Sequence, residues 1–469
     1  MIPQRLNGLV AATADLAARF DAAGKNLYLV GGVVRDAIVN RLEESDDLDF
    51  TTDALPDETE KILKGWADAL WTQGKRFGTI GAKKGDRSYE ITTHRAEVYD
   101  PDSRKPEVTF ANAVEADLAR RDFTVNALAL KLPGTEIIDP FDGLIDLAQG
   151  RLRTPLSPEE SFSDDPLRML RAARFIAGYG LVPDDALVAA VKAMAPRLAI
   201  VSAERVRDEF NKLLVLDDPA AGLWFIAETG MAEQFLPELP AMQVEQDPIH
   251  RHKDVLAHTI AVVGNTEPDL ILRMSALLHD IGKPATRQFG DKGVSFHHHE
   301  VVGARMARKR LDALRWPTDD RDDVVTLVEL HLRFHTYAMG WTDSAIRRYV
   351  RDAGPMLDRL NKLTRADCTT RNENKAKRLA DRMDKLERDI ERLRAQEELD
   401  AMRPDLDGEQ VMGHLGLSPS RAVGDALSFL LELRLEEGPL GEEEAYRRLD
   451  AWWADRSYGQ PQPEPNRNW

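Results

Sequence analysis

The pair Gly31-Gly32, set between the apolar run Leu27-Tyr28-Leu29-Val30 and the segment Val33 to Asn40, constrains this chain more than any other short stretch. A short apolar run followed by paired glycines reads as a buried strand and a tight turn, and the segment after it as a short helix. Such a turn can cradle a phosphate. Its glycines, Gly32 among them, let the backbone come close, the helix N-terminus favours negative charge, and Arg35 adds a fork of donors. Eleven positions after Asp36 comes Asp47-Leu48-Asp49-Phe50. On a strand the period of two puts both carboxylates on one face, where two hard oxygen ligands suit Mg²⁺. Phosphoryl transfer from a nucleoside triphosphate uses one ion on the attacking hydroxyl and one on the leaving phosphates, and carboxylates at this spacing can bridge both. Asp47 and Asp49 are therefore the candidate catalytic residues. A glycine turn or an acidic strand end is ordinary by itself; the two in this order are specific.

At 469 residues the chain has room for three or four domains. Its single cysteine, Cys368, excludes a disulfide framework and fits a reducing, cytoplasmic setting. No apolar run of spanning length and no charged-apolar-small leader at Met1 is found, so neither membrane insertion nor export is expected. The net charge of −17 argues against a nucleic-acid coat protein but leaves room for an enzyme that grips RNA through a local basic lining.

Residues 1–150 alternate short strands and helices, an α/β head. Tyr89-Glu90-Ile91-Thr92-Thr93 reads as a strand whose Glu90 is a candidate third carboxylate beside Asp47 and Asp49, or else a surface glutamate. Asp100 to Pro106 reads as a turn-rich loop. In Arg120-Arg121-Asp122-Phe123-Thr124-Val125-Asn126, Asp122 and Asn126 are four apart, hence neighbours on a helix. They could bind a ribose while Arg121 holds a phosphate; a simple helix cap fits the same residues. Further on, Asp165 before Pro166 reads as an N-cap with Arg168 within ion-pair reach. An aspartate acceptor beside an arginine donor would also accept cytosine and adenine, which share an amino donor next to an unprotonated ring nitrogen, and reject uracil and guanine.

With these motifs in order, the chain resembles the tRNA nucleotidyltransferases, the CCA-adding enzymes of the class shared with bacterial poly(A) polymerases. The first family motif is matched by Gly31, Gly32, Arg35, Asp36, Asp47 and Asp49, the ribose-selecting motif by Arg121 to Ala127, and the base-selecting motif, usually Glu-Asp-x-x-Arg, by Asp164-Asp165-Pro166-Leu167-Arg168. Ile138-Asp139-Pro140-Phe141-Asp142-Gly143 and Ala203-Glu204-Arg205-Val206 follow the same order. The resemblance is strong over the first half of the chain. It implies a polymerase-beta-like nucleotidyltransferase fold for the head, two Mg²⁺ ions there, CTP and ATP as donors, tRNA as acceptor, and nucleotide-binding roles for Gly32, Arg35, Arg121, Asp122, Asn126, Asp165, Arg168, Arg171 and Arg174. Poly(A) polymerases share most of these motifs; Phe77-Gly78-Thr79-Ile80 and the lack of a long basic tail favour CCA addition.

A second constellation follows. His258, His279-Asp280, His299, His331 and Asp367 fall in order on segments that mostly read as helices, and most of the eleven histidines lie in this third of the chain. Imidazoles and carboxylates converging from several helices make a metal site. This stretch resembles the HD phosphohydrolase domain, which implies that His258, His279, Asp280 and Asp367 bind a divalent transition metal, with His299 and His331 as the additional histidines of many members. Beyond it, Leu379, Met383, Leu386, Ile390 and Leu393 follow a four-three spacing suited to a helical pairing, and Asp407 to Leu417 and Arg421 to Leu435 read as helices. Ser457 to Trp469 reads as disordered.

The expected organisation is thus an α/β head over 1–150, an all-α neck over 151–243, an HD domain over 244–372 and a helical, tRNA-binding tail over 373–469, with the oligomeric state open. A poly(A) polymerase, and an HD phosphohydrolase with an RNA-binding N-terminal half, are the alternatives.

Overall fold

The computed structural model describes residues 4–41, 48–98, 107–111, 113–244, 254–290, 293–336, 341–368, 373–397 and 402–455. Asp47, the 100–106 loop and the 457–469 end lie outside these residues. The chain forms two compact units, Met1–Gln243 with Arg310–Trp316, and Val244–Lys309 with Pro317–Trp469. Among the described residues no helix is long and apolar enough to cross a membrane.

The first unit is built on strands β1 (Leu27–Val30), β2 (Leu48–Thr52), β3 (Ala69–Trp71), β4 (Thr79–Lys84), β5 (Arg87–Thr93), β6 (Arg95–Val98), β7 (Glu107–Phe110), β8 (Ala129–Leu132) and β9 (Ile137–Ile138). Seven of them form one mixed sheet in the order β3-β4-β5-β2-β1-β8-β9, and β6 and β7 pair separately. β2 and β5 run parallel; β1 runs antiparallel to both of its neighbours.

Alternation along these strands decides which face is which. Leu27 and Leu29 of β1, Leu48 and Phe50 of β2, and Tyr89 and Ile91 of β5 join Leu16, Phe20, Val34 and Leu63 in the main core. Burying each such side chain contributes roughly 1.5–3 kcal/mol. The intervening residues Tyr28 and Val30 pack with Val114, Leu118 and Ala127 on the opposite face, and by the same parity Asp49 and Glu90 point that way. Helical layers follow. Helix Pro158–Asp164 starts with a capping box between Ser157 and Glu160, and Leu167–Tyr179 lies at the centre of the neck with Ala203–Leu214 and Ala220–Glu228 packed on it.

In the second unit, helices Val255–Gly264, Leu270–Leu278, Thr318–Leu330 and Leu357–Asp367 pack around one another, and the helix that starts at His299 follows a hairpin of Arg287–Gly290 and Gly293–Phe296. The four-three spacing read from sequence lies on the single helix Glu373–Gln396, whose Met383, Leu386, Ile390 and Leu393 are buried where it packs on Asp343–Ala353 and Leu357–Asp367. The tail comprises Gly408–Leu415, Arg421–Glu437 and a further helix, Glu442–Ala454, around a small core of Leu406, Val411, Leu430 and Leu449.

Candidate active site and candidate metal centre

The glycine turn forms as its spacing predicts. β1 ends at Val30, Gly31 takes φ +77°, a conformation that disfavours a β-carbon, and the helix runs from Gly32 to Val39. Two arginines flank the turn: a β-carbon at Gly31 would come within 2.9 Å of Arg121 Nη1, and one at Gly32 within 3.4 Å of Arg35 Nη2. Beside them, Leu29 pairs with Phe50, so one step on Val30 falls level with Asp49. Asp49 lies in register with Glu90 across the parallel pair β2 and β5, and both side chains are exposed. Thus the candidate third carboxylate stands directly beside Asp49.

Arg35 is not an open donor. Its guanidinium stacks 4.3 Å from the Tyr179 ring and 5.1 Å from the Phe175 ring. It donates to Asp36 Oδ1 at 2.9 Å and Oδ2 at 2.6 Å, to the Tyr179 hydroxyl, and to Asn126 Oδ1. Tyr179 in turn donates to Asp36 Oδ1 at 2.9 Å. Asn126 passes the connection on, donating from Nδ2 to Asp122 Oδ1 at 2.8 Å, and Arg171 meets Asp122 Oδ2 at 2.7 Å. Glu209 closes the series, 3.7 Å from Arg171 and 2.5 Å from Arg174. The run from Asp36 to Arg174 alternates in sign and leaves each charge paired, which is how charges survive burial. Burial by itself would raise the Asp122 pKa, but Arg171, Asn126 and Arg168 outweigh it and hold the carboxyl at about 2. Asp122 in turn raises the pKa of Arg171.

Asp122 and Asn126 meet as the spacing predicts, but not on an α-helix: Phe123 is extended, and Thr124–Asn126 is one turn of 3₁₀ helix. Asp165 and Arg168 differ from expectation more. Asp165, extended between two helices, accepts from Leu167 N at 3.1 Å and pairs with Arg205 at 2.7 Å. Arg168 turns inward instead, donating to Ser161 Oγ at 3.0 Å and to the Arg120 carbonyl. Each is thus oriented by its own partner, not by the other. Arg121 pairs with the buried Asp117 at 3.2 Å. Sequence reasoning missed Tyr179 and Glu209. Nothing local marks Tyr179, but Glu209 carried a signal: it stands between Val206 and Phe210 on the buried stripe of Ala203–Leu214, where a carboxylate needs a partner.

The histidine constellation converges. His258 lies within the first of its helices, His279 and His331 just past the ends of theirs, His299 at the start of one, and Asp367 at the end of another. Gly282 permits the close approach of the His299 segment, since a β-carbon there would come within 2.2 Å of the His299 carbonyl. His258 Nε2 lies 2.9 Å from Asp367 Oδ1 and 3.6 Å from Asp280 Oδ2; His279 Nε2 lies 3.1 Å from Asp280 Oδ2 and 3.6 Å from Asp367 Oδ1. His279, His299 and His331 each place Nδ1 at 2.6–2.8 Å from a backbone carbonyl, of Ala276, Phe296 and Val328. A carbonyl only accepts, so Nδ1 carries the hydrogen and Nε2 is the basic nitrogen turned inward. His279 Nε2 is buried and makes no aligned hydrogen bond. This donor set of imidazoles and carboxylates fits a first-row divalent metal. Burial opposes charge on His279, yet Asp280 and Asp367 hold its pKa up at about 10; burial and the charge of His279 push His331 down to about 3. The centre therefore calls for a positive charge between its carboxylates, which a proton on His279 or a metal ion can supply.

Fold and sites together define a class: a nucleotidyltransferase head of polymerase-beta-like fold followed by a helical RNA-binding region and an HD domain. The family described as Poly A polymerase head domain matches residues 27–153, the Probable RNA and SrmB- binding site of polymerase A matches 180–242, and the HD domain matches 255–389. An A-adding tRNA nucleotidyltransferase of Deinococcus radiodurans is 34% identical over 361 residues, 74% of this chain and 81% of the relative. A CCA-adding enzyme of Limosilactobacillus reuteri is 40% identical over 226 residues, 48% of this chain and 54% of the relative. The solved structure of the Bacillus stearothermophilus CCA-adding enzyme in complex with CTP superposes with a TM-score of 0.70 at 24% identity, covering 94% of this chain and 97% of that one. The match spans about half the length of the Limosilactobacillus relative. The chain belongs to the tRNA nucleotidyltransferase family.

Proposed function

We propose that this chain completes the 3′ end of tRNA in the cytoplasm, adding C, C and A in turn from CTP and ATP without a nucleic-acid template. The observation that carries the reading is the paired run from Asp36 to Arg174, because it ties the glycine turn to the helix of Arg168, Arg171 and Arg174. One nucleotide can then be held at its phosphates, ribose and base by a single preorganised surface. In this reading Gly32 and Arg121 receive the triphosphate and Asp122 and Asn126 the ribose, while Arg35, committed to Asp36, Tyr179 and Asn126, positions Asn126 instead of binding phosphate. Asp165 and Arg168 present an acceptor and a donor to the edge shared by cytosine and adenine, while Arg171 and Arg174 hold the surrounding surface.

Asp47 and Asp49, with Glu90 beside them, would hold two Mg²⁺ ions. Like charges opposite one another on a sheet repel, and the in-register pair Asp49 and Glu90 fits residues that share a cation. When bound, such ions supply Lewis-acid stabilisation for attack of the tRNA 3′-hydroxyl on the α-phosphate with loss of pyrophosphate. At the HD centre, a divalent transition metal on His258, His279, Asp280 and Asp367 would serve hydrolysis of terminal phosphates on RNA, 2′,3′-cyclic phosphate included.

The long alignment with the A-adding Deinococcus relative favours a second reading, addition of the terminal A alone. Intact-mass analysis of a tRNA transcript lacking its last three residues, incubated with Mg²⁺ and CTP, ATP or both, separates the readings. Growth by two C with CTP, and by C, C and A with both, is the expected result. Addition of one A only to a transcript already ending in CC would establish the second reading. Long A tails would make it a poly(A) polymerase, and no growth on any acceptor would overturn the transferase reading.

A further inference from the structure

We propose that Trp71 is a stacking platform for the base of the acceptor RNA's 3′-terminal nucleoside, on the open face of the head sheet beside Glu90 and Asp49. The inference rests on the transferase reading and assigns a residue to the acceptor, not to the incoming nucleotide.

Strand register places Trp71 in the row of the candidate carboxylates. Trp71 pairs with Gly81 across β3 and β4, Gly81 with Glu90 across β4 and β5, and Glu90 with Asp49 across β5 and β2. The adjacent row, Leu70, Ala82, Tyr89 and Leu48, belongs to the main core or packs against it. By the alternation of the pleat, Trp71, Glu90 and Asp49 therefore share the opposite face. Between Trp71 and Glu90 the row has no side chain, because the position is glycine and the indole lies over it. A β-carbon at Gly81 would overlap Trp71 at Nε1, Cε2 and Cδ1. Gly81 is buried, yet Trp71 stays 37% exposed. Two strand spacings, about 10 Å, separate the backbones of Trp71 and Glu90, and the indole reaches back over the middle of that interval.

The direction of the proposed reaction says which molecule lies there. Attacking and leaving oxygens stand roughly in line through the transferred phosphorus. In the sheet order β3-β4-β5-β2-β1 the glycine turn follows β1, on one side of Asp49, with Arg121 at its edge. The triphosphate and its leaving pyrophosphate belong on that side. The attacking hydroxyl then comes from the other side, over Glu90, and its nucleoside extends over Gly81 onto Trp71. Lys83 is exposed two residues further along β4 on the same face, where a cation suits the phosphate on the 5′ side of that nucleoside. An aromatic face fits this duty because stacking tolerates any base. The terminal base of the acceptor changes as residues are added, so its platform has to be indifferent, while Asp165 and Arg168 do the choosing.

The test measures steady-state addition by the full chain to tRNA transcripts that end before the C, C and A and to ones that end in CC. Trp71→Leu keeps an apolar cover over Gly81 without a π face; Trp71→Phe keeps both. The acceptor KM is expected to rise roughly 5–100-fold in Trp71→Leu, the worth of one stacked base, and to return most of the way in Trp71→Phe, with the KM for CTP and ATP unchanged. A second set of transcripts lacks the base on the 3′-terminal ribose. The parent should lose the same factor on these, and Trp71→Leu should lose nothing further. A parent that extends the base-less acceptor equally well overturns the proposal whatever the variants do. Losses that multiply when variant and base-less acceptor are combined also overturn it, leaving Trp71 as a cover for Gly81, a role aromatic residues take over glycine in sheets. So does a rise in KM for the nucleotide in place of the acceptor, which would put the incoming base there. No addition by the parent to any acceptor overturns the transferase reading itself.

Discussion

The two candidate sites solve opposite electrostatic problems. In the first unit the run from Asp36 through Arg35, Asn126, Asp122, Arg171, Glu209 and Arg174 is satisfied internally, each charge answered by a neighbour at hydrogen-bond distance or close to it. In the second unit the inward nitrogens of His279, His299 and His331 converge on carboxylates, and those of His299 and His331 lie 3.3 Å apart. A self-satisfied network holds its shape before a ligand arrives, which suits selection of a nucleotide by geometry. A cluster of acceptors gains its stability from a cation. On the proposed function, preorganised polarity belongs to the surface that selects the nucleotide and unbalanced basicity to the place that would hold an ion.

The largest expected effect separates the two. Asp47→Ala or Asp49→Ala should lower nucleotide incorporation by at least about 10³-fold, since Lewis-acid stabilisation is worth several kcal/mol, while phosphate release from a 2′,3′-cyclic phosphate RNA end stays unchanged. Incorporation at the normal rate in the Asp49 variant would remove that residue from the metal site, and loss of both activities together would mean that the two sites are not independent.

A middle-sized effect tests the division of labour within the first unit. Arg168→Ala should weaken discrimination among nucleotides by about 10–100-fold, the equivalent of one or two lost hydrogen bonds to a charged group, as read from competing incorporation of UTP and GTP against CTP and ATP. A variant that is merely slower and still selects C and A would assign Arg168 to its contacts with Ser161 and Arg120 alone.

The smallest concerns acid stability. Asp122 titrates at about 2 in the folded protein against 3.8 ordinarily, so its contribution is complete above pH 4 and is lost as the pH falls through 2. Chemical denaturation from pH 5 towards pH 2 should show the stability difference between the parent and Asp122→Asn shrinking by up to about 2 kcal/mol. A difference independent of pH would mean that Arg171 and Asn126 do not hold the charged form.

Much of this was legible in the residues. The strand at Leu27–Val30 and the glycine turn follow from local spacing; the meeting of Asp122 with Asn126 was read from spacing but forms on a 3₁₀ turn, and the histidine constellation was read from residue order and a family resemblance. The pair proposed to select the base was legible only as residue types. Asp165 and Arg168 stand three apart, yet Pro166 separates two helices and each side chain turns to a different partner, Arg205 in one case and Ser161 in the other. Tyr179 and Glu209 were missed because their roles lie in contacts with Arg35 and Arg174, 144 and 35 residues away.

Local features were determined by the sequence alone: an apolar strand ending in a glycine turn, Asp49 on the face of its strand away from Leu48 and Phe50, and the residue types of the histidine constellation. Backbone periodicity is a local property and needs no packing to be read. Tertiary structure decided the pairings, placing Arg35 on Asn126 and not open on the turn, Asp122 on Arg171, and the two oxygens of Asp280 towards different histidines. A buried charge takes the partner that packing brings within about 3 Å, and packing is set by the whole chain.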